Sequence, residues 1–472
     1  MQAHPERFDE NVRRSLDDPR LKIAIRRTTD KAEQKRQAAV DAFPAFEQAR
    51  LQGEQIKDHV IRHLDFYLQE FEKNARKSGA VVHWAATAGQ ACRIVLDIAK
   101  THDAKTITRS KSMLGEEIGL AEALDKSGIE RFETDLAEHI IQLADEPPSH
   151  IVWPSMHRTR EDVVELFRQH HRDPGEPEKV EDLVDSARRE LRQAFLSADV
   201  GISGANFLLA DSGSVCTVTN EGNAELTTTP PKVHIVTAGI EKLVPSMAHA
   251  MPVLRLLVRS ATGGEITQYT TFYNGPKRND DADGPEHFHI VLVDNGRTRM
   301  LAEGMPEMLR CIRCGACMNH CVVYKHIGGH AYGSVYPGPM GSVLTPYFNG
   351  LEKARKLVHA CTLNGKCQSV CPVNIPLPKL LRAHRARSWQ RKYEPLVNRL
   401  AVSAYVQLTK HPRLFQLASS LGVGFMRLLS RDGRIRKIPL AGGWTRNRDL
   451  PAPGNSTFLA QLKKRRRSSR HS

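Results

Sequence analysis

The residues whose spacing most directly implies chemistry are seven cysteines between positions 311 and 371. CIRCGACMNHC places Cys311, Cys314, Cys317 and Cys321 in the pattern C-x2-C-x2-C-x3-C. Three thiolates at this spacing, on a tight turn containing Gly315, can converge on three irons of one cubane. The fourth, a helical turn later, points away toward a second cluster. CTLNGKCQSVCP repeats the spacing as Cys361, Asn364, Cys367 and Cys371, with asparagine at the second place and Pro372 after the last. The crossover of two-cluster ferredoxins then assigns Cys311, Cys314, Cys317 and Cys371 to cluster one, and Cys321, Cys361 and Cys367 to cluster two. Two 4Fe–4S clusters are expected, the second passing to 3Fe–4S on oxidation because it lacks a thiolate and an Asn364 amide oxygen is a weak ligand. C-x2-C is also a zinc spacing, but zinc sites seldom use three close cysteines plus a fourth three residues on. His320, beside Cys321, and His326 and His330, in the loop between the segments, could each offer a ring nitrogen. With 21 histidines in the chain, most are expected at the surface or in packing roles.

These cysteines need elements to hold them, and three patterns divide the 472 residues. Residues 1–74 carry apolar positions at three- and four-residue intervals, as in EQIKDHVIRHLDFYLQEFEKNA, and read as helical. Over 75–300 short apolar runs alternate with helical stretches: AVVHWA, TITR, IERFETD, HIVWP, NFLLADSGSVCTVTN, KVHIVTAGI, QYTTFYN and HFHIVLVD are the expected strands. Such alternation predicts an α/β fold with a mainly parallel, helix-covered sheet. Residues 301–385 form a helical cysteine-rich domain, and 386–472 a basic helical tail. The 39 residues between Cys321 and Cys361 exceed the link of a compact ferredoxin. This helical insertion resembles the α-helical ferredoxin domain of succinate dehydrogenase-type and heterodisulfide-reductase-type iron–sulfur subunits.

Composition bounds the remaining readings. The charged N-terminus MQAHPERFDENVRRSL lacks a signal peptide's apolar core, and no stretch reaches the ~18 apolar residues that span a bilayer, so a cytoplasmic location is expected. An odd total of nine cysteines, seven of them clustered, argues for metal rather than disulfides; Cys92 and Cys216, standing apart, read as small buried hydrophobes. The net charge of +15 is uneven: residues 373–472 hold 22 Lys and Arg against 3 Asp and Glu, while the preceding 372 hold 46 against 50. ASSLGVGFMRLLSRDGRIRKIPL and the closing KKRRRSSR therefore suit an anionic membrane surface, with peripheral attachment at its inner face, or an acidic partner. No nucleic-acid motif accompanies them, and nucleic acid is not an expected ligand.

In the α/β region, ADSGS and NEGN follow an apolar strand and supply Asp211, Gly213, Asn220, Glu221, Gly222 and Asn223. Turns of this kind at strand ends can place backbone N–H groups around an anion, and Lys111 and Ser112 of RSKSM could add a cation and a hydroxyl. The competing reading is a pair of sharp turns that need glycine. No GxGxxG supports a nicotinamide site, and no nucleophile–base pair emerges.

SGANFLLADSGSVCTVTNEGNAEL, with RSKSM before it and CIRCGACMNHC after it, resembles the lactate utilization protein B family over nearly the whole chain. The resemblance implies a Rossmann-like three-layer LUD domain, similar to CoA transferases and ribose-phosphate isomerases, before the two-cluster domain. It also implies an electron-transfer subunit acting with two partner proteins, a cysteine-rich subunit and a second LUD protein, in oxidising L-lactate to pyruvate. A metabolite-sensing module whose clusters are structural or regulatory is the alternative. The family's second segment usually has cysteine where this chain has Asn364 and a small polar residue where it has Cys361. By that pattern three thiolates for cluster two are normal in the family, and it is their positions that are altered here.

Overall fold

Apolar runs buried on both faces form the centre of the molecule. Strands β1 (Val81–Ala85), β2 (Thr106–Arg109), β3 (Glu130–Glu133), β4 (Val200–Ser203), β7 (Val233–Gly239) and β10 (His287–Val293) make a six-stranded parallel sheet in the order β1-β10-β7-β4-β2-β3. A second, four-stranded sheet in the order β8-β5-β6-β9 joins β5 (Phe207–Leu209), β6 (Ser214–Thr219), β8 (Leu243–Val244) and β9 (Tyr269–Tyr273), with β6 antiparallel to both its neighbours. The structure is a computed structural model and describes residues 4–175, 179–438, 445 and 448–468. It comprises two units, Met1–Ser388 and Trp389–Ser472.

Period-two alternation builds the three layers of the α/β domain. In β10, Phe288, Ile290 and Leu292 share a core with Leu68 and Phe71 of the helix Leu64–Lys77. Val291 and Val293 face the other way, toward Ala91, Val95 and Ile98 of the helix Ala88–Thr101. The parallel order requires crossover helices, and Gly201 in β4 lets one of them, Asn223–Thr228, lie close: a Cβ at 201 would stand 1.8 Å from the Thr227 carbonyl oxygen. Fold class and the predominance of parallel strands match the sequence expectation, although NFLLADSGSVCTVTN and QYTTFYN form antiparallel pairs in the second, mixed sheet.

HIVWP is not a strand. Residues 149–154 turn back on themselves, with Ser149 N–H donating to the Pro154 carbonyl at 3.0 Å. The segment is apolar because it packs beside the cysteine-rich domain, not because it pairs in a sheet; Ile151 is 3% exposed.

The N-terminal helices Pro19–Asp41 and Phe46–Arg62 pack on the cysteine-rich part of the same unit. Asp18 caps the first by accepting from the N–H groups of Arg20 and Leu21. Arg36 donates to the Val370 carbonyl at 2.9 Å, Arg50 to the Cys371 carbonyl at 3.0 Å, and Arg310 pairs with Asp58 and Glu54 at 2.5 and 2.7 Å. In the second unit, helices Leu396–Thr409 and Pro412–Leu428 contact one another yet bury none of their residues. The basic run KKRRRSSR ends, and ASSLGVGFMRLLSRDGRIRKIPL closes, outside the described residues. Among the described residues no helix is long and apolar enough to cross a membrane.

Candidate metal centres and the adjoining cavity

The two cysteine segments share one backbone conformation. Arg313 and Leu363, each two residues after the first cysteine, both take left-handed φ values, 61° and 56°. Gly315 and Gly365 follow at 77° and 84°, and one-turn helices Ala316–Asn319 and Lys366–Ser369 come next. Left-handed backbone is costly for a residue with a side chain, so its recurrence at 313 and 363 marks a specific turn that lets successive thiols face one way.

Cys311, Cys314, Cys317 and Cys371 line one gap, walled by Ile151, Ile312, Met340, Val373, Ile375 and Leu377. Among the described residues no histidine or carboxylate lines it. Burial first, then the neighbouring Cys371, pushes the Cys314 thiol up to about 12; burial likewise raises Cys371 to about 11, against an N–H···S bond from Ile375 at 3.4 Å. Without metal these groups stay protonated, and binding of iron must displace the protons. Four thiols in an apolar, water-poor gap are a donor set that fits an iron–sulfur cubane. Among the described residues no three metal-binding side chains close up on a single-ion site.

Cys321, Cys361 and Cys367 come together separately, each in the electrostatic field of another of the set, and the Tyr332 hydroxyl hydrogen-bonds Cys321. The two groups approach each other through Cys317 and Cys367. Asn364 is exposed, its Oδ1 accepting from the Lys366 N–H at 3.0 Å, so its oxygen is engaged by the backbone just ahead of the one-turn helix. His320 and His326 each tie Nδ1 to a main-chain carbonyl, those of Ala316 and Val322, and His330 turns its Nε2 to the Pro147 carbonyl. Cys92 and Cys216 lie apart in the α/β domain; burial raises both thiols, Cys216 to about 12.

A cavity of about 340 Å³ opens beside the first group, at the carboxyl ends of β2, β3, β4 and β7. This is the edge at which doubly wound sheets bind ligands, and the volume is that of a small-molecule site. Lys111, Ser112, Asn220, Glu221 and Asn223 line it, as do Glu241, Lys242, Arg297, Arg313 and Tyr336, which carried no motif in the sequence. Asp211, Gly213 and Gly222 do not line it. Gly213 sits in the β5–β6 turn at φ 69°, where a Cβ would strike the backbone of Asn74 and Ala75, so its turn serves packing beneath the helix Leu64–Lys77. The one available hint of Arg313 was its place inside the first C-x2-C.

Fixed charges organise this region. Arg297 is buried between Glu117 and Glu241 at 2.8 and 2.5 Å. Burial raises the Glu241 carboxyl, but Arg297 and then Arg313 outweigh it and hold the group well below the usual range. The Arg313 guanidinium stacks 4.6 Å from the Tyr336 ring centre, and Tyr336 donates to Glu117 at 2.8 Å. Burial pulls the Lys242 ammonium down to about 8, against the attraction of Glu241. Opposite, Lys111 donates to the Val152 carbonyl of the 149–154 turn. That turn is fixed by His150, whose Nδ1 accepts from the Val152 and Trp153 N–H groups at 3.0 and 3.1 Å while Nε2 donates to Asn319 Oδ1 at 3.1 Å. These bonds require the neutral ring, and burial pulls His150 down to about 3.

The LUD domain model matches residues 68–293, and the 4Fe-4S dicluster domain model matches 307–375. Lactate utilization protein B of Bacillus licheniformis is 41% identical, covering 99% of this chain and 98% of its own length. Lactate utilization protein B of Bacillus subtilis is 40% identical, covering 100% and 98%. The uncharacterized electron transport protein YkgF of Escherichia coli is 39% identical, covering 97% and 96%. A DUF162 family protein of Deinococcus radiodurans aligns with 49% of this chain and 98% of its own at 11% identity and a TM-score of 0.28, too weak a similarity to bear on the fold. The protein carries two iron–sulfur clusters of the 4Fe–4S dicluster type in a domain that follows a LUD domain. The chain belongs to the lactate utilization protein B family.

Proposed function

We propose that this chain is the iron–sulfur electron-transfer subunit of an L-lactate-oxidising assembly. Electrons released as lactate becomes pyruvate pass through its two clusters to a respiratory acceptor. Cys311, Cys314, Cys317 and Cys371 hold cluster one, and Cys321, Cys361 and Cys367 hold cluster two. The observation that carries this reading is the grouping of seven thiols into sets of four and three that approach each other at Cys317 and Cys367, which suits one-electron steps between neighbouring centres. The relatives named for lactate utilization and for electron transport supply the substrate and the class of role. The assembly includes a cysteine-rich subunit and a second LUD protein. With both partners present, anaerobic L-lactate is expected to bleach the visible absorption of the oxidised clusters. Dithionite bleaching without any response to lactate would defeat the reading.

The chain works in the cytoplasm, held at the inner membrane face by its second unit. Exposed Leu400, Tyr405, Leu421, Phe425 and Leu428 on its two helices, in a region rich in lysine and arginine, give that unit an interfacial character. The holoprotein is expected to sediment with vesicles containing anionic lipid, and not with neutral ones. Failure to bind anionic vesicles at low salt would point to an acidic protein partner instead.

A further inference from the structure

Electron transfer alone does not explain the charges at the junction between the LUD sheet and the Cys311–Cys314 turn. The repeat of that turn supplies the comparison: Leu363 takes the same left-handed conformation as Arg313 without any charge. The turn therefore does not require arginine. What distinguishes position 313 is its surroundings, because Arg313 lines the 340 Å³ cavity and faces Glu241 at 3.5 Å. Glu241 is already engaged by Arg297 at 2.5 Å. Lys242, from the loop after β7, lines the same end and makes no hydrogen bond or ion pair with any described residue. Lys57, fully buried nearby where Lys242 is half-buried, is by contrast satisfied by the carbonyls of Glu241 and Leu243. Three cations, Lys242, Arg297 and Arg313, thus meet two carboxylates, Glu241 and Glu117, at this end of the cavity. Lys242 is half-buried, and a surplus cation that lines a cavity without a protein acceptor is placed to take an anion there.

We propose that the cavity binds a small 2-hydroxy or 2-oxo carboxylate, with Lys242 and Arg313 holding its carboxylate group beside the Cys311–Cys314 turn. The electron-transfer reading identifies the ligand as substrate and product of that oxidation, while the site itself follows from the geometry. An occupant here lies next to the four-thiol gap, since Ile151, Ile312 and Arg313 line both spaces. Lactate utilization would then have its substrate site on this chain and not on a partner.

The test uses the full chain, anaerobically reconstituted, with no partner protein present. L-lactate, pyruvate, acetate and inorganic phosphate are titrated in turn by calorimetry. L-lactate and pyruvate are expected to bind in preference to acetate and phosphate. Lys242→Met is expected to weaken that binding at least about tenfold, as loss of a charge-assisted hydrogen bond should, with iron content and circular dichroism unchanged. Lys242→Arg is expected to restore part of it. Lys242→Gln carries the same expectation as methionine and replaces it should that variant not fold. Absence of lactate and pyruvate binding, equal binding of phosphate, or full affinity in a folded Lys242→Met protein would each overturn the site. Lactate-driven reduction in the presence of partners but no binding to the isolated chain would leave the electron-transfer role standing and move the substrate site elsewhere. Binding without any such reduction would do the reverse.

Discussion

Cys371→Ser protein, reconstituted anaerobically, is expected to retain about half of the iron, close to three or four atoms where the unaltered chain holds seven or eight. The centre that disappears is expected to be the one built on the segment around Cys314, not the one on the segment that was altered. Cys371 follows Cys367 by four residues in sequence, yet it lines the gap with Cys311, Cys314 and Cys317. It is buried, its sulfur accepts the Ile375 N–H, and Arg50 holds its carbonyl, so the residue has no freedom to serve the other group. A serine hydroxyl there is a poor iron ligand, and a cubane on three thiolates in this position becomes oxygen-labile. Lactate-dependent reduction through the chain is expected to fall to background, because electrons would have to bypass the missing centre. Iron and sulfide analysis together with EPR of the reduced protein decides the matter. Loss of the three-thiolate centre with cluster one intact would show that the segments do not cross, and zinc in place of iron would refute both sets.

Oxidised, unaltered protein is expected to show the EPR signal of a 3Fe–4S species, and Asn364→Cys to suppress it. The matched backbones support this. Position 364 occupies in its segment the place of Cys314 in the other, between a left-handed residue and a left-handed glycine. Asn364 is exposed and spends its oxygen on the Lys366 N–H, which leaves one iron of cluster two without a protein ligand from this position. A thiolate introduced there adds the fourth sulfur, and the iron lost on oxidation should then be retained. The substitution gives up the Asn364 Oδ1 bond to the Lys366 N–H just ahead of the one-turn helix. Two 4Fe–4S clusters that survive oxidant in the unaltered protein would mean that another side chain closes the site.

Local spacing revealed the cysteine chemistry because most ligands of each cluster are neighbours in sequence, with one crossing over from the other segment. The same holds for the parallel strands, whose apolar runs record burial on both faces. HIVWP misled because its apolar residues cover the cysteine-rich domain, a contact that periodicity cannot distinguish from a sheet. The loops after the strands were divided by the fold for a similar reason. Lys111 and Asn220 face the cavity, whereas Gly213 presses on Asn74 and Ala75, and both kinds of turn look alike when read locally. Lys242, Glu241 and Arg297 were silent because their meaning comes from one another. Position 241 meets positions 297 and 313 only through the return of β10 and the docking of the cysteine turn.

Arg36 and Arg50 grip the carbonyls of Val370 and Cys371, and Asp58 and Glu54 hold Arg310, across more than 250 residues of chain. The opening helices are thus a splint for the metal-binding end. At the level of the gene, a cut after the LUD domain would not release a working ferredoxin module, since the excised piece would lack the arms that brace Cys371. A hybrid that exchanges only the cysteine-rich end between relatives would bring a foreign loop to mismatched arginines. The chain's beginning and its metal-binding end must be inherited together, and substitutions in one should be compensated in the other.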